Sequence, residues 1–502
     1  VSSSASLAPA PGVLSRWEAV IGVEVHCQLR TTTKMFCGCP TTADGAPPNS
    51  LTCPVCLGLP GALPVANRAA VELVLATGLA LGARVPETTR WERKNYFYPD
   101  LPKGYQISQY EIPLTADGRL TFDTSDGPVT VGITRAHLEE DTARLAHARA
   151  ADGRDVSLVD FNRSGIPLME IVTEPDLRTA EQARRYAEEL QLLLRTIGVS
   201  DADMEKGQLR VEANVSIRLR GSPTFGTRVE VKNMNSFRSV ERAIGFEIHR
   251  QADVLESGGS LIQETRGWDE DRGVTYHQRT KEDSDDYRYF PEPDLPSLRV
   301  GRDWLGRIAA RLPELPAARR RRYQDELGLS AYDAAVIVAD PAMSAAFEAI
   351  HAADPALASK EIANLVTGDY GRAAKEDGAR SADGLVGRAD AGELADLLRR
   401  VTTGELSRPN AKEILAEHLR SGEAVRAIVE RRGLRQISDA GELSAIVGRV
   451  IAANPAAVAD YRAGKGQAVG FLVGQVMKAT GGQANAALAA AALREHLDGG
   501  EG

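Results

Sequence analysis

Ala19-Val20-Ile21-Gly22-Val23-Glu24-Val25-His26 is the stretch that decides how the first half of this chain is built. Its β-branched residues suit an extended, half-buried backbone. In a strand successive side chains point to opposite faces, so Glu24 and His26 share one face while Val23 and Val25 turn into a core on the other. Val129-Thr130-Val131-Gly132-Ile133 and Arg210-Val211-Glu212-Ala213-Asn214-Val215-Ser216-Ile217 read the same way. Gly/Pro turns separate these runs, and helices are expected around 67–81, 179–196 and 237–256. The expectation from about Trp17 to Pro296 is therefore a large α+β domain on a mostly antiparallel sheet.

From Asp303 onward the strand signals nearly vanish. Ala, Leu, Glu and Arg dominate, and apolar residues recur at helical spacing, as in Ile362, Leu365 and Val366 or Ile414, Leu415 and Leu419. Pro341, Pro355, Pro409 and Pro455 fall near expected helix starts. This part reads as one or two all-helical domains. Arg319 to Arg322 is a basic run that suits either a solvated helix face or a contact with RNA.

A chain of 502 residues exceeds one ordinary core, and roughly two to four domains are expected. No segment has the length and unbroken apolarity of a membrane span. Val1 to Gly12 is rich in Ser, Ala and Pro, without a basic start and apolar run, and reads as a disordered leader and not a signal peptide. The expected location is the cytoplasm. A net charge of −9 argues against non-specific coating of nucleic acid but leaves room for a local basic patch.

All five cysteines lie between positions 27 and 56. Cys37-Gly-Cys39 and Cys53-Pro-Val-Cys56 form two short-spaced pairs, which in a reducing compartment suit a tetrahedral zinc site better than two disulfides. Reduced packed thiols or a redox pair are the alternatives. Cys27, beside His26, reads as a packed thiol.

Glu24 and His26 on one strand face make half of a metal site, or else a surface pair. Glu139 lies in His137-Leu138-Glu139-Glu140-Asp141, and Glu170 in Pro167-Leu168-Met169-Glu170-Ile171-Val172, where an unpaired carboxylate among apolar neighbours would carry a large desolvation cost. Glu212 and Asn214 share a strand face. Oxygen ligands of this kind suit Mg²⁺ with ATP, provided the fold gathers Glu24, Glu139, Glu170, Glu212 and Asn214. There is no Walker A motif, kinase signature, dinucleotide fingerprint or Gly-x-Ser-x-Gly elbow. Gly464-Lys465-Gly466-Gln467-Ala468-Val469-Gly470 is not a phosphate-binding P-loop and suits a flexible Lys-bearing contact with an RNA backbone. Three stretches are chemically dense: Asn95 to Tyr105 with Lys103, Val231 to Phe237 with Lys232 and Asn233, and Lys281 to Phe290 with Arg288. Their Lys and Arg groups suit phosphates and their rings suit a nucleobase or a terminal adenosine, or they are turns whose polar groups satisfy one another. Ser236 is placed to cap the helix after it.

Taken together, Gly22 to His26, Pro48-Asn49-Ser50 through Cys56 to Gly61, Lys94 to Tyr105, Asp160 to Gly165 with Pro167 to Ile171, Val231 to Ser236, and Asp285 with Tyr287-Arg288-Tyr289 closely resemble the B-subunit family of aspartyl/glutamyl-tRNA amidotransferases. The resemblance covers roughly residues 18 to 502. It implies a cradle-shaped catalytic domain over 18–296 after a leader at 1–17, a helical domain at 297–404 and a tRNA-gripping tail at 405–502. It implies ATP-dependent phosphorylation of the side-chain carboxylate of Glu-tRNA(Gln) or Asp-tRNA(Asn), followed by attack of ammonia delivered from a glutaminase. The implied partners are that amidase (glutaminase) subunit, a small third subunit and the tRNA. The implied cofactors are ATP, Mg²⁺ and structural Zn²⁺.

On these positions Glu24, His26, Glu139 and Glu170 resemble the family's metal-binding catalytic group, and Glu212 and Asn214 its neighbouring pair. Many members carry Asp where this chain has Glu212, so that position departs by one methylene. Lys103, Glu212, Asn214, Lys232, Asn233 and Arg288 are the expected nucleotide contacts, and Cys37, Cys39, Cys53 and Cys56 the zinc ligands. Two other readings compete: a glutamate-only relative with an inserted synthetase-like domain, for which the helical region has no room, and a non-catalytic tRNA-binding scaffold, in which Glu24, Glu139 and Glu170 would not converge.

Overall fold

A computed structural model describes residues 13–42, 45–280, 287–372, 390–433, 440–480 and 484–499. The expected leader at Val1 to Gly12, the Lys281 to Asp286 stretch and the end of the Gly464 to Gly482 segment lie outside the described residues. Two compact units are present, residues 1–318 and 319–502.

The first unit is organised by β1 (Trp17–Gln28), whose burial alternates from Val23 onward as the sequence requires: Val23, Val25 and Cys27 are buried and the intervening residues half-buried. Eight strands form its main sheet. Besides β1 they are β4 (Thr115–Thr124), β5 (Gly127–Glu140), β8 (Pro167–Thr173), β9 (Leu209–Leu219), β10 (Val229–Met234), β11 (Glu264–Asp269) and β12 (Val274–Thr280). Their order is β12-β11-β10-β9-β1-β8-β5-β4. Every neighbouring pair is antiparallel except β10 and β11. A parallel pair needs a crossover, and α3 (Phe237–Glu256) supplies it, with Ser236 capping its first turn through the Ser239 amide. With α1 (Arg68–Ala80) and α2 (Ala180–Thr196) it covers the apolar side of the sheet. Each fully buried Val, Leu or Ile there contributes about 1.5–3 kcal/mol against exposure.

The opposite side of the sheet is polar. It is met by a small sheet of β2 (Glu92–Asn95) and β3 (Tyr105–Ser108), with Phe290–Pro291 at its edge. A separate exposed hairpin pairs β6 (Arg144–Arg149) with β7 (Asp155–Asp160). The first unit extends past the expected change of character at residue 296 because the helix Arg302–Ala309 packs on α1. There Trp304 Nε1 donates to Glu72 Oε1 at 2.8 Å, and the Arg68 guanidinium lies over the Trp304 ring.

The described part of the second unit is helical. Asp340 with Pro341, Ser407 with Pro409, and Asn454 with Pro455 mark helix starts, as the prolines foreshadow. The helices Ala391–Thr402 and Arg408–Ser421 pack on one another across the expected boundary at 404/405. A distinct apolar cluster, including Leu443, Val447, Leu472, Val476 and Leu493, joins the last helices. Among the described residues no single helix is long and apolar enough to cross a membrane.

Candidate functional site

Strand register gathers the polar residues in rows. Arg210, His26, Glu170 and His137 stand opposite one another across β9, β1, β8 and β5. Glu212 faces Glu24 in the next row, and Asn214 faces Glu230 in the one after. Opposite residues on neighbouring strands hold their Cβ atoms about 4.5–5.5 Å apart. Five strands thus place their charged side chains on the floor of one cleft, with β2 and β3 at one end.

At the centre His26 Nε2 is 3.5 Å from Glu170 Oε2 and 4.0 Å from Glu139 Oε2. His137 Nε2 is 3.6 Å from Glu139 Oε1 and 3.6 Å from the same Glu170 oxygen. Lys94 Nζ lies 3.6 Å from Glu139 Oε1, and Arg135 reaches Glu170 at 3.8 Å. Ser108 Oγ and Gln106 Nε2 donate to Glu139 at 2.8 and 3.1 Å. Burial opposes the charge on His26, but Glu170, with Glu212 and Glu139, outweighs it and raises the imidazole to about 9. Burial likewise opposes ionisation of Glu139, yet Lys94 and His137 hold it down to about 2. Glu170 is kept well below the carboxylate range against burial by His137, His26 and Lys94. Cationic side chains thus balance these buried carboxylates.

One step along the sheet Glu24, Glu212 and Glu230 bring carboxylate oxygens within 4.8 Å of one another. Lys232 Nζ fills the gap, 2.7 Å from Glu212 and 3.8 Å from Glu230, and against the cost of burial both raise its pKa. Asn214 Nδ2 donates to Glu24 at 2.8 Å, while its buried Oδ1 has no hydrogen-bond partner among the described residues. Three carboxylates and a spare amide oxygen make a donor set suited to a hard divalent cation. His26, Glu139 and Glu170 form the other such group, also within 4.8 Å. The four residues expected to act together therefore fall into two adjacent groups, with Glu24 in the all-oxygen one.

The four short-spaced cysteines converge, their sulfurs all within 4.8 Å of one another and Cys53 to Cys56 at 3.9 Å. Thiolates bound to one tetrahedral ion at about 2.3 Å would stand about 3.8 Å apart, so the set fits a metal. None of the five cysteines is in a disulfide. The Cys56 thiol is pushed down to about 4, first by a hydrogen bond from Cys37 and further by the Cys53 backbone and the buried Lys34. Cys37 is pushed up in return. Cys27 lies apart, fully buried, and burial raises it to about 12.

Of the expected nucleotide contacts, Glu212 and Lys232 line this cleft, Asn214 lies behind Glu24, and Lys103, Asn233 and Arg288 stand elsewhere. Lys103 forms an ion pair with buried Glu140 and lines a separate cavity beside Cys37 and Cys56. Asn233 has a positive φ of 64° and its Nδ2 is 3.5 Å from the Tyr276 hydroxyl. Arg288, with φ 44°, lies over the exposed Phe97 ring. The cleft adds residues that the sequence reading left without a role, Lys94, Tyr110, Arg135, His137, Arg210 and Glu230, beside Tyr96, Tyr287 and Tyr289 from the ring-bearing stretches. Alternation would have found some of them, since Arg135, His137 and Glu139 occupy every second position of β5, as Glu230 and Lys232 do on β10.

Residues 19–306 match the family profile described as the GatB/GatE catalytic domain, and residues 345–497 match the GatB domain. The chain is similar to the aspartyl/glutamyl-tRNA(Asn/Gln) amidotransferase B subunit of Moorella thermoacetica, with 51% identity over 481 residues, 96% of this chain and 100% of the relative. The protein of the same name from Thermomicrobium roseum is 51% identical over 482 residues, 96% of this chain and 99% of the relative. That of Anaeromyxobacter sp. is 50% identical over 486 residues, with the same coverage.

Proposed function

Because the chain belongs to the family of aspartyl/glutamyl-tRNA amidotransferase B subunits, we propose that its cleft floor is where ATP phosphorylates the side-chain carboxylate of Glu or Asp carried on tRNA. The enzyme is an ATP-dependent ligase that amidates misacylated Glu-tRNA(Gln) and/or Asp-tRNA(Asn), assembled with an amidase subunit and a small third subunit. One observation carries the placement: two adjacent groups of acidic side chains, drawn from five strands, converge on one surface. A non-catalytic scaffold has no use for such a convergence, which concentrates like charge at a desolvation cost.

Glu24, Glu212 and Glu230, with the Asn214 oxygen, would hold one Mg²⁺, and His26, Glu139 and Glu170 a second. Bound there, Mg²⁺ would offset charge building on the transferring phosphoryl group. The chain's own residues do the rest. Lys232 is a cation beside the first group that can turn from Glu212 to a phosphate oxygen. Lys94 and His137 balance Glu139 and Glu170 and keep both ionised, and Arg135 lies 3.8 Å from Glu170. Attack of the substrate carboxylate on the γ-phosphorus gives an acyl phosphate and ADP, and ammonia then displaces phosphate to leave the amide. Burial of Glu139 and Glu170 restricts water, against which an acyl phosphate must be protected. Cys37, Cys39, Cys53 and Cys56 would hold a structural Zn²⁺ outside this cleft, and residues 405–502 would serve as the tRNA-gripping tail.

The test uses the reconstituted three-subunit enzyme with Glu-tRNA and Asp-tRNA supplied separately. Glu170→Ala and Glu212→Ala should each lower amidation at least 100-fold while glutamine hydrolysis continues. Normal amidation by either folded variant would remove that residue from the phosphorylation site.

A further inference from the structure

Of the three carboxylates in the all-oxygen group only Glu230 is buried. Each of the three is held by a neighbour. Asn214 Nδ2 donates to Glu24 Oε1 at 2.8 Å, and Lys232 Nζ stands 2.7 Å from Glu212 Oε2. From Glu230 Oε1 the same lysine is 3.8 Å away, too far for a hydrogen bond, while Thr265 Oγ1 donates to Glu230 Oε2 at 2.7 Å. Thr265 is 1% exposed and is not among the residues lining the cleft, so no substrate touches it.

Its place follows from topology. β10 and β11 are the one parallel pair of the main sheet, and their register sets Thr265 opposite Glu230. Alternation turns Glu264 and Arg266, on either side of it, to the face that α3 covers. There Arg266 donates to Glu264 and to Thr275 Oγ1, both at 2.9 Å. Arg250 of α3 lies 3.6 Å from Glu264 and 2.7 Å from Glu247, which accepts from Thr275 at 3.0 Å. These bonds pin β11 from behind, so the hydroxyl on its cleft side is presented from a fixed position.

We infer that Thr265 is a positioning residue of the phosphorylation site: its hydroxyl holds the Glu230 carboxylate in the orientation that takes the divalent cation. The inference rests on the metal reading above and adds the group that orients one of its ligands. A Glu side chain has three rotatable bonds, and ordering it costs conformational entropy. A short hydrogen bond to one carboxylate oxygen fixes the head group before the ion arrives. Outer bonds of this kind set the affinity of a metal site nearly as strongly as the ligands do. A neutral hydroxyl does this without cancelling the carboxylate's charge, as a lysine in its place would. A buried threonine also needs an acceptor for its own hydroxyl, and metal affinity separates that duty from positioning.

The test is Mn²⁺ binding to the reconstituted three-subunit enzyme, followed by electron paramagnetic resonance. Glu212→Ala identifies the ion of the all-oxygen group as the one it releases. Thr265→Val keeps the side-chain shape and removes the hydroxyl. It should weaken that ion about 10–100-fold and spare the ion at His26, Glu139 and Glu170, and Thr265→Ser should restore binding. In amidation assays the free Mg²⁺ concentration giving half the maximal rate should rise by the same factor, with KM for Glu-tRNA unchanged. Thr265→Ala carries the same prediction if the valine variant does not fold. Wild-type Mn²⁺ affinity in a folded Thr265→Val or Thr265→Ala enzyme would make the bond purely structural and overturn the inference. Mn²⁺ binding unchanged by Glu212→Ala would overturn the metal reading itself, so the two failures are told apart.

Discussion

Replacing Glu170 with Gln removes one charge from the centre of the cleft while keeping the shape of the side chain, and its first effect should be on His26. Burial works against the charged imidazole, and Glu170 makes the largest contribution in the other direction, taking it from an ordinary 6.5 to about 9 in the folded protein. A raised pKa gives stability that is fully present below the unfolded value and is lost as pH rises through the folded one. The window is therefore pH 6.5 to 9. The 2.5-unit rise corresponds to about 3 kcal/mol at 1.36 kcal/mol per unit, on a side chain only 17% exposed. Glu139 and Glu170 have depressed pKa values, so their contributions change at acid pH and stay constant across this window. All four tryptophans, Trp17, Trp91, Trp268 and Trp304, lie in the first unit, so their fluorescence reports on it alone. Urea unfolding in EDTA should show wild-type stability falling by about 3 kcal/mol relative to Glu170→Gln between pH 6.5 and 9. Parallel curves for the two proteins would mean that His26 and Glu170 are not coupled as the geometry requires.

Three further outcomes follow from the packing. Cys27 should resist iodoacetamide at pH 8 in the native protein, whereas chelation should expose Cys37, Cys39, Cys53 and Cys56 to labelling; peptide mass spectrometry reads both. A Cβ on Gly78 would lie 2.2 Å from Thr115 Cγ2, so Gly78→Ala should cost about 1–3 kcal/mol, partly recovered by adding Thr115→Ala in urea titrations. Against the cost of its burial, Asp141 is held low by Arg210 and Arg163, 3.1 and 3.3 Å away, with Gln28 Nε2 at 2.7 Å. Asp141→Asn should lose about 2–4 kcal/mol at pH 7, and the gap should narrow as pH falls below the ordinary carboxylate value of about 4 and through the lower one of the folded protein.

Much of this architecture is written in the alternation of single strands. Val23 and Val25 against Glu24 and His26 declare which side of β1 is core, and the fold keeps that division. Glu170 is legible as a carboxylate in need of partners because its neighbours are apolar. What the sequence does not carry is register. That His26 stands opposite Glu170, and Glu24 opposite Glu212, depends on pairing between segments more than 140 residues apart. The separation of one expected group into two follows from that pairing alone. Lys103 shows the converse: a dense motif drew attention to a lysine whose partner, Glu140, points away from the cleft that Glu139 enters. Adjacent strand residues face opposite ways, and one position decides which cavity a charge occupies.

The most direct test of the central claim follows oxygen through the reaction. Glu-tRNA carrying oxygen-18 in its side-chain carboxylate is incubated with the reconstituted enzyme, ATP, Mg²⁺ and glutamine, and the released inorganic phosphate is analysed by mass spectrometry. Phosphorylation of the carboxylate followed by attack of ammonia predicts one labelled oxygen in phosphate for each amide formed, with label and amide lost together in Glu170→Ala. Amide formation with unlabelled phosphate, or label recovered in AMP, would contradict phosphoryl transfer at this site.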